Sequence, residues 1–266
     1  MYKVVVSDLD GTLLNNHHQI SPHTRRTLHA LTARGIRFVV ATGRHHIDVQ
    51  SIRDALGLDI YLITANGAVV HDPQDHCIYN QTIPAALAQE LVEVERHPDI
   101  ALHVYQGDEW LVEAESPELL AYHKDSGFSY RVKDLVACDK QQINKIFFVG
   151  EHEDLLELEH RLLSYYGDRL SIAFSTPTCL ETMQKGVNKG NAVKAVLEQN
   201  GYHLADAIAF GDGMNDREML TMVGRGVVMG NAHSRLKDAL PDHPRALTND
   251  EDGVADYLLQ LFGKSA

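Results

Sequence analysis

Short runs of hydrophobic, mostly β-branched residues recur along the chain, and glycine or polar turn residues follow each run. Helix-like segments separate the runs, so the pattern predicts βα units. Continuous hydrophobic runs of this length are typical of strands buried on both faces, which favours a parallel sheet in an α/β fold. The clearest runs lie at residues 4–7, 37–41, 61–64, 207–210 and 226–229.

Two of the helix-like segments carry clear start and stop signals. The first, SPHTRRTLHALTARG, has Ser21 as its predicted N-cap, Pro22 in its first turn and Gly35 at its end. The second, NAVKAVLEQNG, ends at Gly201. A serine oxygen accepts a free N–H at a helix start, and glycine readily adopts the left-handed conformation that ends a helix.

The pattern changes between residues 84 and 184. Hydrophobic and polar residues alternate there around turn sequences, as in LHVYQGDEWLVEA, and two amphipathic helix-like segments accompany them. Period-2 alternation around a turn predicts hairpins in an antiparallel sheet with helices on one face. We therefore predict an inserted α+β cap domain at 84–184 and a Rossmann-like, parallel-sheet core formed by residues 1–83 and 185–266.

Composition and charge narrow the class of protein. The 266 residues include 24 basic and 37 acidic side chains, for a formal net charge of −13, and no Lys/Arg-rich run interrupts this acidity. We therefore expect neither a nucleic-acid partner nor a membrane partner. The three cysteines are scattered, and no hydrophobic run approaches the roughly 20 residues of a membrane helix. These features predict a cytoplasmic protein, and we expect it to be a monomer or a weak dimer.

Polar side chains follow four of the predicted parallel strands. The carboxyl ends of parallel strands share one edge of the sheet, and ligands bind at that edge. Each polar group alone could be a helix cap or a tight turn, but four groups at one edge predict a ligand site. The groups are Asp8 with Asp10, then residues 42–44, 66–67 and 211–216.

Two carboxylates placed together repel each other unless a cation lies between them. Asp8 and Asp212 offer hard oxygen ligands, and no cysteine is close in sequence to either. A site with few protein ligands and room for water fits Mg²⁺ better than Ca²⁺. Bound Mg²⁺ would also reduce the repulsion between an anionic nucleophile and an anionic phosphate.

Four motifs give the chain a family resemblance. DLDGTLL, ATGR, a lysine that opens a helix, and GDGMND occur in the order found in the haloacid-dehalogenase superfamily of phosphatases, which the chain resembles throughout its length. The insertion between the second and third motifs is similar to the large α/β cap of the Cof-type branch. The resemblance implies hydrolysis of small phosphate monoesters, with bacterial pyridoxal phosphate and sugar phosphate phosphatases as the most similar members.

The resemblance also implies chemical roles for the motif residues. Asp8 matches the nucleophile that forms an aspartyl-phosphate, and Asp10 matches the general acid and base. We expect the pKa of Asp10 to lie above that of an ordinary aspartate, because carboxylate and phosphate charge surround it. The implied metal ligands are Asp8, Asp10 through its backbone carbonyl, and Asp212.

The remaining motif residues are implied to bind phosphate. Lys185 and Lys194 compete with Lys189 for the lysine position, but the helix onset and the following glycine favour Lys189. Asp216 would lie behind the metal ligands and steady either the metal's water or Lys189. The implied phosphate contacts are the Leu9 backbone, Thr42, Gly43, Lys189 and Asn215.

Three functions remain open at this stage. The first is a phosphatase acting on a small phosphorylated metabolite, with the cap as a movable lid that selects the leaving group. The second is a phosphotransferase or phosphomutase that uses the same aspartyl-phosphate but shields it from water. The third is a non-catalytic module that carries phosphate on aspartate as a signal.

Several other features are interpreted as structural. The pairs at residues 17–18 and 45–46 are histidines without the spacing of metal ligands joined to this site. Arg44 and His45 follow Thr42 closely enough to contact a substrate or the cap, but surface exposure is the expectation. Trp110 is expected to pack inside the inserted domain.

Overall fold

The computed structural model describes residues 2–116 and 126–263, so part of the predicted cap, at 117–125, lies outside the described residues. The described strands form two sheets. They are β1 (Val4–Ser7), β2 (Arg37–Ala41), β3 (Tyr61–Thr64), β4 (Val69–His71), β5 (Cys77–Asn80), β6 (Ala101–Gln106), β7 (Glu109–Val112), β8 (Tyr130–Val132), β9 (Ile143–Val149), β10 (Leu170–Thr176), β11 (Cys179–Gln184), β12 (Ala207–Gly211) and β13 (Arg225–Val228).

The described helices lie between these strands and after the last one. Ser21 caps the first helix by accepting a hydrogen bond from the Thr24 N–H at 3.0 Å, and Gly35 has a φ of +87° just beyond it, as predicted. The helices are α1 (Pro22–Ala33), α2 (His46–Leu56), α3 (Ala85–Val92), α4 (His152–Tyr166), α5 (Lys189–Gln199), α6 (Arg217–Met222), α7 (Ser234–Ala239) and α8 (Gly253–Phe262).

The first sheet has the order β13-β12-β1-β2-β3-β4-β5. Strands β13 through β3 pair in parallel, whereas β4 and β5 extend the sheet in antiparallel pairing. Consecutive residues of the central strand are buried, with Val4, Val5 and Val6 at most 1% exposed, because helices cover both faces. The predicted parallel α/β core is confirmed, with β12 one residue longer than predicted and β13 starting one residue earlier.

The second sheet has the order β10-β11-β9-β6-β7-β8. It contains hairpins, as predicted, at β6–β7 and at β10–β11, and only its outer β7–β8 pair is parallel among the described strands. Helices α3 and α4 pack on one face, where Leu155 and Leu158 meet Phe148 in a buried hydrophobic cluster. The α+β character of the insertion is thereby confirmed, while its boundaries at 84 and 184 stay a prediction.

Within residues 2–116 and 126–263, none of the helices combines the length and hydrophobicity that a membrane crossing needs.

Candidate active site

Asp8 lies where the central strand β1 ends, at the edge of the sheet shared by β2 and β12. The register pairs Ser7 with Val40 on one side and with Phe210 on the other, so the residues after these strands emerge together. The Asp8 carboxylate accepts a hydrogen bond from the Leu9 N–H at 2.7 Å and contacts Lys189 Nζ at 2.9 Å. Asp8 is therefore a nearly buried carboxylate held beside a cation.

Asp216 positions the lysine and the loop that precedes it. Its Oδ1 lies 2.7 Å from Lys189 Nζ, while its Oδ2 accepts the Asp212 N–H at 2.8 Å and the Gly213 N–H at 3.0 Å. Burial lowers the pKa of Lys189, but the charges of Asp216 and Asp8 outweigh it and raise that pKa above its ordinary value. Lys189 is thus a fixed positive charge at the start of α5.

Three acidic side chains come close enough to share a metal ion. Oxygens of Asp8, Asp212 and Asp216 all lie within 4.8 Å of one another. Burial, together with repulsion from Asp216, raises the pKa of Asp8 well above its usual range and that of Asp212 to about 7, against the opposing charge of Lys189. An all-oxygen set of three carboxylates with a single ammonium group beside it fits a hard divalent cation.

Gly11 makes the approach of Asp212 to the first motif feasible. A Cβ on Gly11 would lie 2.4 Å from Asp212 Oδ2, and the glycine has a φ of +68°. Thr12 also donates its hydroxyl hydrogen bond to Asp212 Oδ1 at 2.8 Å. The turn after Asp8 therefore leaves room for the Asp212 carboxylate, which follows β12, and donates a hydrogen bond to it.

Arg44 holds Asp10 in a bidentate ion pair. Arg44 donates from Nε to Oδ2 at 2.7 Å and from Nη2 to Oδ1 at 2.6 Å. Burial acts to raise the pKa of Asp10, but the hydrogen bonds and charge of Arg44, aided by His18, outweigh it and hold the pKa below its ordinary value. The expectation of a raised pKa is wrong for this arrangement, and so is the surface position expected for Arg44, whose side chain is only 15% exposed.

The other predicted phosphate contacts lie on the neighbouring loops. Thr42 is 1% exposed at the end of β2, and its Oγ1 accepts the Arg44 N–H at 3.1 Å. Asn215 donates from Nδ2 to Asn66 Oδ1 at 3.0 Å, and its own Oδ1 is buried without a partner among the described residues. The Leu9 N–H, predicted to bind phosphate, donates to Asp8 in this structure. The predicted residues thus share one edge of the sheet.

Comparison with known proteins places this geometry in a family. The chain matches the model of the haloacid dehalogenase-like hydrolases over residues 5–258. It is 41% identical over 265 residues to a Haemophilus influenzae protein, covering 98% of this chain and 97% of that one. It is 39% identical over 259 residues to a Serratia proteamaculans protein named HMP-PP phosphatase, covering 97% and 94%. The chain belongs to the haloacid dehalogenase-like hydrolase family.

Solved structures agree with this assignment. A haloacid dehalogenase-like hydrolase from B. subtilis superposes on the chain with a TM-score of 0.86 at 30% identity, covering 97% of this chain and 99% of that one. The resemblance to the Cof-type branch is confirmed, and so is the prediction of a phosphatase, since relatives matched over nearly their whole length are named phosphatases. Their names specify HMP-PP, so the closer resemblance to pyridoxal phosphate phosphatases stays a prediction.

His45 of this hydrolase lies between the core and the cap. It is 4% exposed, its Nδ1 accepts the Ile47 N–H at 3.3 Å, and its Nε2 lies 2.8 Å from the Gly107 carbonyl in the β6–β7 turn. Burial lowers its pKa to about 4, so the ring is neutral and donates to that carbonyl. The expected surface position is wrong, and the alternative, a contact with the cap, is the one that the structure shows.

Two charged cap residues, which were not predicted from the sequence, reach the hydrolase's active-site loops. Lys145 donates from Nζ to the Gly43 carbonyl and to Glu181 Oε1, both at 2.6 Å. Glu181 Oε2 accepts the Asn66 side-chain N–H at 2.5 Å. The alternation in NKIFF and CLETM places the lysine and the glutamate opposite hydrophobic neighbours, and this signal was available in the sequence.

Proposed function

We propose that this phosphatase hydrolyses small phosphate monoesters, with Mg²⁺, through an aspartyl-phosphate on Asp8. The observation that carries the proposal is the contact of the Asp8 carboxylate with Lys189 Nζ at 2.9 Å, beside Asp212 at the end of β12. A carboxylate held at a strand end next to a buried cation and a metal-compatible acid is placed to attack an anionic phosphorus.

Two displacements at phosphorus make up the proposed reaction. In the first, Asp8 forms a bond to phosphorus, the bond to the leaving oxygen breaks, and Asp10 gives that oxygen a proton. In the second, Asp10 takes a proton from water, the water oxygen attacks phosphorus, and the bond to Asp8 breaks to release phosphate. Since Arg44 holds Asp10 ionised here, Arg44 must release the carboxylate, and Asp10 must take up a proton from solvent, before the first proton transfer.

The phosphoryl oxygens would be bound by groups that the fold already holds in place. Lys189 supplies a fixed positive charge, and the Thr42 hydroxyl, the Gly43 backbone and the Asn215 amide line the neighbouring loops. The Leu9 N–H would exchange its bond to Asp8 for one to phosphate. Such preorganised donors stabilise the charge that develops during phosphoryl transfer.

Asp8, Asp212 and the Asp10 backbone carbonyl are the residues that would hold Mg²⁺. When bound, the ion neutralises part of the carboxylate charge and binds a phosphate oxygen. Asp216 is less suited to direct ligation, because both of its oxygens are engaged by Lys189 and by backbone N–H groups. We therefore assign it a positioning role.

The proposed substrate is a small phosphorylated metabolite enclosed beneath the cap. HMP-PP, named for the Serratia relative, joins pyridoxal phosphate and hexose phosphates as a candidate. A lid of this kind admits small molecules, so we propose neither nucleic acid nor membrane as a partner. The proposal further includes a monomer or weak dimer in the cytoplasm, where three free cysteines would remain reduced.

The test is an assay of these candidates for release of inorganic phosphate, with and without Mg²⁺. One phosphate released for each substrate consumed, with no phosphorylated acceptor formed, is the expected result. A phosphorylated sugar product would favour the phosphotransferase. A long-lived phosphorylated protein without turnover would favour the signalling module.

A further inference from the structure

The cap sheet presents different chemistry on its two faces, because neighbouring residues of a strand point in opposite directions. One face packs on α3 and α4 through hydrophobic residues such as Ile146 and Phe148. We call the opposite face, which meets the core domain, the inner cap face. Its residues include Tyr105, Lys145, Phe147, Glu181 and Met183.

The inner cap face contains an ion pair that packing alone does not require. Lys145 and Glu181 are 2% and 3% exposed, with Nζ 2.6 Å from Oε1. The Lys145 ammonium also lies 4.6 Å from the ring centres of both Tyr105 and Phe147. Hydrophobic residues usually stabilise a buried interface at least as well as a buried ion pair does. The presence of an ion pair at this position therefore indicates a role in binding a polar group.

The partners of this pair belong to the loops that bind phosphate in the proposed function. Lys145 contacts the Gly43 carbonyl, and Glu181 contacts the Asn66 amide, which in turn accepts a hydrogen bond from Asn215 at 3.0 Å. A Cβ on Gly43 would lie 3.4 Å from the Glu181 carboxylate. The ion pair therefore contacts one predicted phosphate-binding residue, Gly43, directly and is linked to a second, Asn215, through Asn66.

We propose that Lys145 and Glu181 determine specificity by binding a hydroxyl group of the leaving group. This inference rests on the proposed function and names the substrate class that the cap selects, namely hydroxyl-bearing phosphate monoesters. A hydroxyl is both a donor and an acceptor, and it matches a carboxylate and an ammonium held side by side. Substrate would replace the core carbonyl and amide as the partners of the pair when it enters.

A ligand that lacks the hydroxyl leaves this buried pair incompletely paired. Sites built to hydrogen-bond a substrate hydroxyl discriminate strongly against analogues without it. The competing explanation is a latch, in which the pair only holds the cap against Gly43 and Asn66. A latch would affect every substrate equally, whereas a hydroxyl site affects only substrates that carry the group.

The experiment measures kcat/KM for wild type, Glu181→Gln and Lys145→Met on p-nitrophenyl phosphate, a good hexose phosphate and its deoxy analogues. We expect losses on the order of 10²-fold on the hexose phosphate and well under tenfold on p-nitrophenyl phosphate. The analogue that lacks the bound hydroxyl should be a poor substrate for wild type, and its kcat/KM should fall little further in the variants. Comparing the two losses measures the coupling between that hydroxyl and the ion pair.

The matched controls are Glu109→Gln and Lys133→Met, because these residues form an ion pair at 2.9 Å on the cap surface. They should leave the preference between substrates unchanged. If the Lys145 and Glu181 variants lost kcat/KM equally on all substrates, or lost none, the inference would be overturned. Phosphate release by wild type would still support the proposed phosphatase activity. Thermal unfolding checks that the variants fold. If Glu181→Gln does not fold, Glu181→Asp, which keeps the charge but has a shorter side chain, provides a second test.

Discussion

Lys189 and Asp216 form an ion pair without exposed surface, with Nζ 2.7 Å from Oδ1. The same lysine contacts Asp8, so one ammonium group compensates two carboxylates. Removing one member of such a pair leaves a buried charge without compensation, which typically costs about 3–5 kcal/mol. The lysine therefore has a structural role in addition to the phosphate contact that we propose.

Changes at these two residues should separate the structural role from the chemical one. We expect Lys189→Met to lower the free energy of unfolding by about 3–5 kcal/mol and to abolish phosphate release. Adding Asp216→Asn should restore much of the stability without restoring activity. Urea unfolding and a phosphate assay measure the two effects. Lys194→Met, which breaks an exposed pair with Glu198 on the same helix, is the control, and a double variant with near-wild-type turnover would refute the phosphate contact.

Substitutions of the two acids of the first motif should block different steps of the reaction. Asp8→Asn removes the nucleophile while keeping its volume, so we expect no steady-state turnover and an unchanged fold. Asp10→Asn should allow slow phosphorylation but stall both proton transfers, by a factor on the order of 10² or more. Rapid-quench detection of phosphorylated protein distinguishes the two, with exposed Asp54→Asn as the control. Appreciable turnover by pure Asp8→Asn would exclude Asp8 as the nucleophile.

The strands predicted best from sequence are those buried on both faces. Residues 4–7, 37–41 and 61–64 match β1, β2 and β3, because an uninterrupted hydrophobic run has few alternative structures. Strands β4 and β5 were not predicted. Strand β4 is buried but only three residues long, and none of the four residues of β5 is fully buried, so neither gives a hydrophobic run as long as those of the core strands.

The site was predictable where strand order brings residues together and unpredictable where the contact depends on the reach and direction of side chains. Asp8 and Asp212 follow adjacent parallel strands, so topology alone brings them together. The contact of Arg44 with Asp10 depends on side-chain reach between two strand ends, which no spacing in the sequence reveals. Lys145 and Glu181 share a face by alternation, but only the fold shows that this face meets the core.

Gly11 gives a test of the metal site that does not need turnover. Gly11→Ala would place a Cβ 2.4 Å from Asp212 Oδ2 at a φ of +68°, so the carboxylate must shift. We expect at least a tenfold rise in the Mg²⁺ concentration that produces half of the thermal stabilisation. Gly35→Ala, also at positive φ but with no atom within 4 Å of its Cβ, controls for backbone strain. Equal Mg²⁺ responses in both variants would contradict the assigned site.

His103 should make the stability of the cap depend on pH. Its Nδ1 accepts the Trp110 indole N–H at 3.1 Å, its ring stacks on Phe147, and its Nε2 is buried without a partner among the described residues. Burial, with the nearby charge of Lys145, lowers its pKa to about 3. The unfolded chain, with an ordinary pKa of about 6.5, therefore binds a proton that the folded cap excludes, so stability falls as pH drops below about 6.5.

The measurement compares wild type with His103→Gln, which cannot take up this proton. From pH 7 to pH 5.5 the stability advantage of wild type, from urea unfolding, should shrink by about 1 kcal/mol. Other groups that titrate in the same range, His45 among them, contribute equally to both proteins and cancel in the difference. Trp110→Phe removes the indole donor but keeps the histidine, so it should lower stability while retaining the wild-type pH dependence. A difference between wild type and His103→Gln that stays constant across this range would show that the folded cap protonates His103 as readily as the unfolded chain does.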